Sequence, residues 1–241
     1  HEISIESGSK SIYMMHVDSP TKSHWKFHGY HLWWPGVMQT HRVGIEHVPT
    51  SEGVLLGFHY YLQTAMGDGG HIDPLRAYMP VDHTAQVYSG RLGISQVDGK
   101  RRTEWTLNGT RITDDGRYLM PREWGRDPFF TFLPRERNEG MADLWAATLK
   151  WDYVHGHQEW IVAAGRYVLP SWQDFSRNKY QTPSYNQFYV EWADALTGFW
   201  EGVHLRTMVA YKWNDDPTLP DFVKVNTVNM LNASFIVDYH F

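Results

Sequence analysis

The sequence predicts an all-β chain that folds as an antiparallel transmembrane β-barrel, with short periplasmic turns and long extracellular loops. Three observations lead to this fold class. Apolar and polar residues alternate along many short segments, the connections between these segments are alternately short and long, and aromatic residues gather near segment ends. Alternation with a period of two is typical of a strand with two different faces. A strand in a membrane barrel shows lipid only every second side chain.

The last thirteen residues, Asn229 to Phe241, alternate most clearly. Counting back from Phe241, every second residue is mostly apolar, and the intervening positions are mostly polar, with Ile236 as the exception. A strand that ends on an aromatic carboxy-terminal residue resembles the last strand of bacterial outer-membrane barrels. The edge strand of a soluble sandwich would alternate in the same way, so this segment alone does not decide the fold.

Ten further segments are strand candidates, and their connections follow a rule. The candidates are 2–6, 10–17, 41–48, 53–64, 86–97, 103–112, 144–154, 158–169, 185–195 and 203–213. The connections 49–52, 98–100, 155–157 and 197–202 are short, whereas 18–40, 65–85, 113–141, 170–184 and 214–228 are long. A soluble meander has no reason to sort its loops in this way, but a transmembrane barrel has short periplasmic turns and long extracellular loops.

Composition narrows the class of protein. The chain has 241 residues, no cysteine and a net charge of -5. The lack of cysteine rules out a disulfide scaffold and a thiolate metal site, and the lack of a basic block argues against a nucleic-acid partner. We find no apolar run of about 18 residues, which excludes a transmembrane helix. We expect one domain, 1–241, that either has lost a leader before His1 or begins partway into a longer protein.

Aromatic residues, 15% of the chain, are expected to form two girdles on the lipid-facing side, because Trp and Tyr favour membrane interfaces. The predicted outer girdle consists of Trp145, Tyr167, Phe188, Tyr211 and Trp213. The predicted inner girdle consists of Trp105, Trp151, Tyr153, Trp192, Tyr239 and Phe241.

From about residue 117 onward the chain resembles the OprD-type substrate-specific outer-membrane porins. The resemblance rests on the run from Asn178 to Tyr185 (NKYQTPSY) before a strand and on the ending from Val237 to Phe241 (VDYHF). It implies a larger barrel in the outer membrane of a Gram-negative bacterium, constricting loops folded into the lumen, basic residues along one wall and small carboxylate-bearing solutes. The chain is much shorter than a usual family member, and the stretch from Arg117 to Gly140 does not align with a specific family loop.

The segments from 10 to 241 make about ten strands, and 2–6 would make the number odd. Several large side chains are predicted to point inward, among them Tyr189 and Glu191, and a wide lumen hydrates such groups more easily than a narrow one. Open channels need about 16–18 strands. We therefore expect the chain to be the carboxy-terminal portion of a larger, 16–18-stranded barrel.

Basic residues on the predicted inner face form the first candidate site. A column of such groups in a confined aqueous path attracts anions, and arginine can donate two bonds to one carboxylate. The alternative is that they pair with lumen acids such as Asp152, Glu191 or Asp238 and only keep the wall hydrated. The predicted substrate path consists of Arg91, Lys150, Arg166, Arg206 and Lys212.

The long stretch 113–141 is the second candidate site. It mixes both charge signs with aromatic residues, so we predict that it folds inward or caps the mouth as a constriction. An external loop packed on its neighbours is the alternative. The predicted site residues of this constriction loop are Arg117, Arg122, Arg126, Arg135 and Arg137.

No metal, cofactor or catalytic site is predicted. The pairs His28 and His31, and His155 and His157, are loosely spaced and lack a third ligand, and no phosphate loop or nucleophile elbow is present. We expect a passive porin for small, anionic solutes, in contact with outer-membrane lipid, alone, as a homo-oligomer or in a larger envelope complex. The alternatives are a barrel enzyme of the protease or lipase type and a non-conducting barrel such as an adhesin or envelope subunit.

Overall fold

A computed structural model describes residues 11–19, 24–121, 126–214, 216–225 and 227–239 as a single antiparallel sheet of eleven strands. Each strand is hydrogen-bonded to the next one along the chain, and within the described residues β1 and β11 are the two edges. The strands are β1 (Tyr13–Asp18), β2 (Trp25–Trp34), β3 (Met38–His47), β4 (Gly53–Ala65), β5 (Thr84–Asp98), β6 (Arg101–Ile112), β7 (Leu144–His155), β8 (Gln158–Val168), β9 (Tyr185–Ala195), β10 (Val203–Trp213) and β11 (Met230–Tyr239).

Within the residues that the structure describes, helical structure is confined to short pieces in two connections. A 3₁₀ turn covers Gly198–Trp200, and the helix α1 covers Asp221–Lys224. None of the helical segments described here is long and apolar enough to cross a membrane.

The predicted long loop 18–40 is wrong, because β2 lies within it. Aromatic residues on both faces of Trp25–Trp34 obscure the alternation that would have marked this strand. A tight turn leads from β2 to β3, in which Val37 N donates to Trp34 O at 3.0 Å and Gly36 has a φ of 74°. The connection between β2 and β3 is therefore short, although it lies at the same end of the sheet as the long loops. The predicted strand 2–6 lies outside the described residues.

The two faces of the sheet have the expected character. On one face, which we call the outer face, Leu56 and Phe58 are 37% and 47% exposed, and Phe235 and Val237 are 65% and 57% exposed. No described part of the chain covers these apolar side chains. The opposite, inner face carries polar and small residues on β4 to β7, among them the buried His59. The alternation in the sequence thus predicts the two faces of most strands.

Strand β8 is the exception, and two predictions on it are wrong. Arg166 lies opposite Ala147 on the outer face, where it is exposed and donates to Asn186 Oδ1 at 3.1 Å. Tyr167 lies opposite Tyr185 on the inner face and is fully buried. The alternation misleads here because the connection between β6 and β7 covers the inner face of β8 near Tyr167. Apolar residues are therefore needed on the inner face of this strand as well.

Candidate functional site

The connection between β6 and β7 comprises residues 113–143 and is called the β6–β7 loop. Its described segments around Leu119 and from Pro128 to Arg135 lie against the inner face. Between Pro128 and Arg135 the loop meets β4, β5, β6, β8, β9, β10 and β11 in that order. The bonds are Tyr61 Oη to Pro128 O (2.7 Å), Phe130 N to Ser89 Oγ (3.0 Å), Thr131 Oγ1 with Thr110 Oγ1 (2.8 Å), Tyr167 Oη to Thr131 O (2.9 Å), Gln187 Nε2 to Pro134 O (2.6 Å), Lys212 Nζ to Arg135 O, and Arg135 Nε to Asn232 Oδ1 (3.1 Å).

These contacts show that the inner face is concave. Neighbouring strands lie about 4.8 Å apart, so a flat sheet would separate β4 from β11 by roughly 34 Å. The eight residues from Pro128 to Arg135 lie in a stretch with two tight turns, because Phe132 N donates to Phe129 O and Glu136 N to Leu133 O. Such a folded segment touches strands this far apart because the sheet curves around it.

Phe130 anchors the loop above β4 and β5. Its ring stacks on His59 with centroids 4.4 Å apart, and the Arg91 guanidinium carbon lies 4.7 Å from its centroid. Gly57 provides the space, because a β-carbon there would lie 2.6 Å from the ring. The glycine in the strand therefore accommodates a side chain from the loop.

The first part of the loop is held by Gln63 of β4. Its amide accepts a bond from Leu119 N and donates one to Leu119 O, both 2.8 Å long, and it also donates to Thr40 Oγ1 at 2.8 Å. Gln63 is 1% exposed. The buried amide thus pairs with the loop backbone as a neighbouring strand would.

Two neighbouring loops tie down the base of the β6–β7 loop. Ala142 N donates to Arg177 O at 2.8 Å, and Lys179 N donates to Gly140 O at 3.0 Å. A ring nitrogen of His83 lies 2.8 Å from Arg117 O, and Arg117 Nη1 donates to Phe175 O at 3.2 Å. Burial lowers the pKa of Arg117, partly offset by Glu139. Arg117 therefore lies in the packed base of the loop.

The loop buries three of its carboxyl groups, those of Asp127, Glu136 and Glu139, whereas Asp114 and Asp115 at its start are exposed. Asp127 Oδ2 accepts bonds from Asn138 N and Glu139 N at 2.7 and 3.2 Å, and Glu136 Oε1 accepts one from Asn138 Nδ2 at 2.9 Å. Burial raises the pKa of Asp127 to about 6 and the pKa of Glu136 well above its usual value. Tyr180 Oη donates to Glu139 Oε1. These three buried acids serve the packing of the loop and of the neighbouring connection that carries Tyr180.

Two loop arginines, in contrast, are exposed. Arg126 lies over Phe132, with its guanidinium carbon 5.7 Å from the ring centroid, and Arg135 bonds to the neutral Asn232. Arg137 is half-buried and stacks over Tyr180 at 4.3 Å. Arg122 lies outside the described residues.

Four of the five predicted substrate-path residues lie on the inner face, and all four have partners. Arg91 Nη2 lies 2.6 Å from Glu46 Oε2, and Lys150 Nζ lies 2.8 Å from Asp152 Oδ1. Arg206 donates two bonds to Glu191, at 2.7 and 2.9 Å. Lys212 is 5% exposed, donates to the loop carbonyl of Arg135 and lies 4.4 Å from the Tyr185 centroid. The fifth residue, Arg166, is on the outer face, as described above.

The loop leaves space on both sides. An apolar recess of about 380 Å³ lies between the loop and β1 to β4, with Tyr30, Arg42 and Tyr118 in its lining. A polar recess of about 250 Å³ lies on β5 to β7. Phe130 lines this second recess together with charged groups of both signs, which are Arg91, Arg102, Glu104, Lys150 and Asp152.

The sequence also missed a cluster of histidines. His28 lies on the inner face, whereas His31 lies on the outer face and stacks on His41 with centroids 4.4 Å apart. His28 instead approaches Glu46 and His59, which belong to the next two strands. The three residues are distant in sequence, so only the strand register reveals them.

Comparison with solved structures finds the same arrangement of strands in OprD/Occ-type outer-membrane porins. OccAB2 of Acinetobacter baumannii matches with a TM-score of 0.69 at 11% identity, over 95% of this chain and 54% of its own. OccK5 (OpdH) of Pseudomonas aeruginosa matches with a TM-score of 0.69 at 13% identity, over 95% and 57%. A variant of OccD1 (OprD) matches with a TM-score of 0.68 at 10% identity, over 96% and 59%.

No family model matches the sequence, and no curated protein matches it. The chain spans little more than half the length of the solved structures above. At these identities the likeness concerns the fold. The described strands therefore have the fold of about half of an OprD-type, 18-stranded transmembrane β-barrel.

Proposed function

We propose that this chain forms part of an outer-membrane porin of a Gram-negative bacterium, through which small solutes diffuse passively. The observation that carries this proposal is the position of the β6–β7 loop. Its segment from Pro128 to Arg135 crosses the concave face from β4 to β11, while the opposite face of the same strands is apolar and uncovered. A loop held there narrows an aqueous lumen without filling it, because recesses remain on both sides.

We further propose that the solutes are anionic or carry carboxylates. The inner-face cations Arg91, Lys150 and Arg206 are paired with carboxylates, so they contribute little net charge to the lumen. The loop is different, because it exposes Arg126 and Arg135 while the acids in the same part of it, Asp127, Glu136 and Glu139, are buried. Its exposed acids, Asp114 and Asp115, lie at its start, where Asp115 accepts a bond from Gln86. Exposed cations at a constriction favour anions, since charge in a narrow aqueous path sets the entry barrier.

Conductance of the full-length protein in planar bilayers tests both proposals. We expect discrete steps with a greater permeability to chloride than to potassium. Replacing Arg126 and Arg135 together with Gln should lower this ratio at unchanged step frequency. The matched control is Arg166→Gln on the outer face, which should leave the ratio unchanged.

The outcomes separate the alternatives. Silent bilayers with correctly inserted protein would overturn the porin proposal in favour of a non-conducting barrel, or of a barrel enzyme if hydrolysis of peptides or lipids is measured instead. Conductance steps whose ion preference stays the same when Arg126 and Arg135 are replaced would support the porin proposal. They would overturn the proposal that these two arginines favour anions.

A further inference from the structure

Two histidines and a glutamate from three adjacent strands converge on the inner face. Glu46 Oε1 of β3 lies 3.2 Å from His28 Nε2 of β2 and 3.1 Å from His59 Nε2 of β4. Gly44 is the partner of both histidines in the strand register, and a β-carbon on it would lie 2.4 Å from the His59 ring. The missing side chain lets the two rings approach the carboxylate from either side.

The distances between these atoms match those of metal ligands. Imidazole nitrogens and carboxylate oxygens bind Zn²⁺ at about 2.0–2.2 Å, which in a tetrahedral site separates neighbouring donors by about 3.3 Å. His28 Nε2, Glu46 Oε1 and His59 Nε2 all lie within 4.8 Å of one another. Two imidazoles and one carboxylate form a donor set that suits Zn²⁺ and related divalent transition metals.

Surrounding groups orient the three donors. His28 Nδ1 lies 2.6 Å from Asp18 Oδ1, an arrangement that directs Nε2 towards the cluster as in carboxylate–histidine–metal triads. His28 Nε2 is buried and forms no hydrogen bond to a described residue. Arg91 holds Glu46 Oε2 at 2.6 Å, which leaves Oε1 for the cluster, and Phe130 stacks on the His59 ring.

We propose that His28, Glu46 and His59 bind a divalent transition-metal ion such as Zn²⁺ on the inner face. Binding requires the neutral tautomer of His59 that carries its proton on Nδ1, which lies 3.5 Å from Tyr61 Oη, so that Nε2 is free for the metal. With both imidazoles neutral, the charges of Asp18 and Glu46 are balanced by Arg91 and Arg42, so the three donor atoms and not a net negative charge hold the cation. The site does not depend on the proposed function, because a barrel that conducts no solute could carry it equally.

Zinc competition between the chelator-treated full-length protein in detergent and a chromophoric zinc indicator tests the site. We expect saturable binding of one ion. His28→Gln and His59→Gln should each weaken it at least about tenfold, and Asp18→Asn, which keeps all three donors, by about 10–100-fold. The matched control is His204→Gln, a histidine on the inner face of β10, which should bind as the wild type does.

A spectroscopic measurement on the wild type keeps the test valid if a variant fails to fold. Electron paramagnetic resonance with Cu²⁺ as the probe should show coupling to two imidazole nitrogens. No saturable zinc binding by the wild type, unchanged binding in folded His59→Gln, or a copper spectrum without imidazole coupling would each overturn the site. Conductance measurements test the porin proposal, and their outcome is independent of these metal-binding measurements.

Discussion

Phe130 of the β6–β7 loop occupies the space that a side chain at Gly57 of β4 would need. A β-carbon on Gly57 would lie 2.6 Å from the end of the ring and within 3.3 Å of two further ring atoms. The ring also stacks on His59 and lies under Arg91. Because the loop has no regular structure of its own in this segment, such fits between single residues determine where it rests on the strands.

Gly57→Val should therefore displace the ring and loosen the loop. Overpacking a well-filled site costs about 1–3 kcal/mol, and here the loop can move more easily than the sheet. We expect faster proteolytic cleavage within residues 126–137. The control is Gly90→Val on β5, where a β-carbon would have its nearest neighbour at 3.9 Å. Equal cleavage rates in the two variants would contradict this role of Gly57.

Gln63→Ala should free the first part of the loop. It removes the two bonds to Leu119 and the bond to Thr40, and it leaves Leu119 N and O buried without that partner. An unsatisfied buried group costs about 1–3 kcal/mol. We expect hydrogen exchange at the Leu119 amide to accelerate by at least about tenfold. Gln39→Ala provides the comparison, because Gln39 lies on the outer face and its side chain donates to Thr64 Oγ1. A similar acceleration at the Leu119 amide in this variant would argue against a local clamp.

Much of the fold can be predicted from the sequence because apolar residues of the outer face alternate with mostly polar or small residues of the inner face. Strands β4 and β11 are examples, although the β6–β7 loop contacts the inner face of both. Prediction fails where this alternation is lost. In β2 aromatic residues occupy both faces. In β8 the loop requires an apolar inner face, so that Tyr167 lies on the inner face and Arg166 on the outer face, opposite to the prediction.

The candidate site is less predictable, for a related reason. The density of charged and aromatic residues in 113–141 indicates a structured loop, but its docking depends on single fits such as Phe130 on Gly57. The partners of Arg91 and Arg206, which are Glu46 and Glu191, follow from strand register. A one-residue change in register would alter every such pair.

The pair formed by Arg206 and Glu191 predicts opposite effects on ion preference. Arg206→Gln removes the cation paired with Glu191, whose carboxylate keeps the bond from Tyr189 Oη, and should shift the preference towards cations. Glu191→Gln should shift it towards anions, and the double variant should lie near the wild type. Unfolding of the four proteins in denaturant should give a coupling free energy of about 0.5–3 kcal/mol. Additive effects in both measurements would show that the two groups act independently.

The buried acids of the β6–β7 loop predict that its docking weakens as the pH rises. Burial raises the pKa of Asp127 to about 6, against an ordinary value of 3.8. Between these values the docked loop holds more protons than the undocked one, so its stability falls with rising pH. Glu136, whose pKa burial also raises, extends the fall to higher pH. The charged groups around them are Arg126, Arg137 and Glu139 of the loop and Lys212 of β10.

Hydrogen exchange at the amides of Asn138 and Glu139, which donate to Asp127, measures the stability of the docked loop as the pH changes. After correction for the intrinsic pH dependence of exchange, we expect protection to decrease from about pH 4 to pH 6 and further above it. Asp127→Asn keeps an oxygen acceptor but cannot ionise, so it should remove the decrease in protection between about pH 4 and pH 6. Asp68→Asn, at an exposed position, should leave the profile unchanged. Protection that is constant or rises with pH would mean that the carboxyl groups remain ionised in the docked loop.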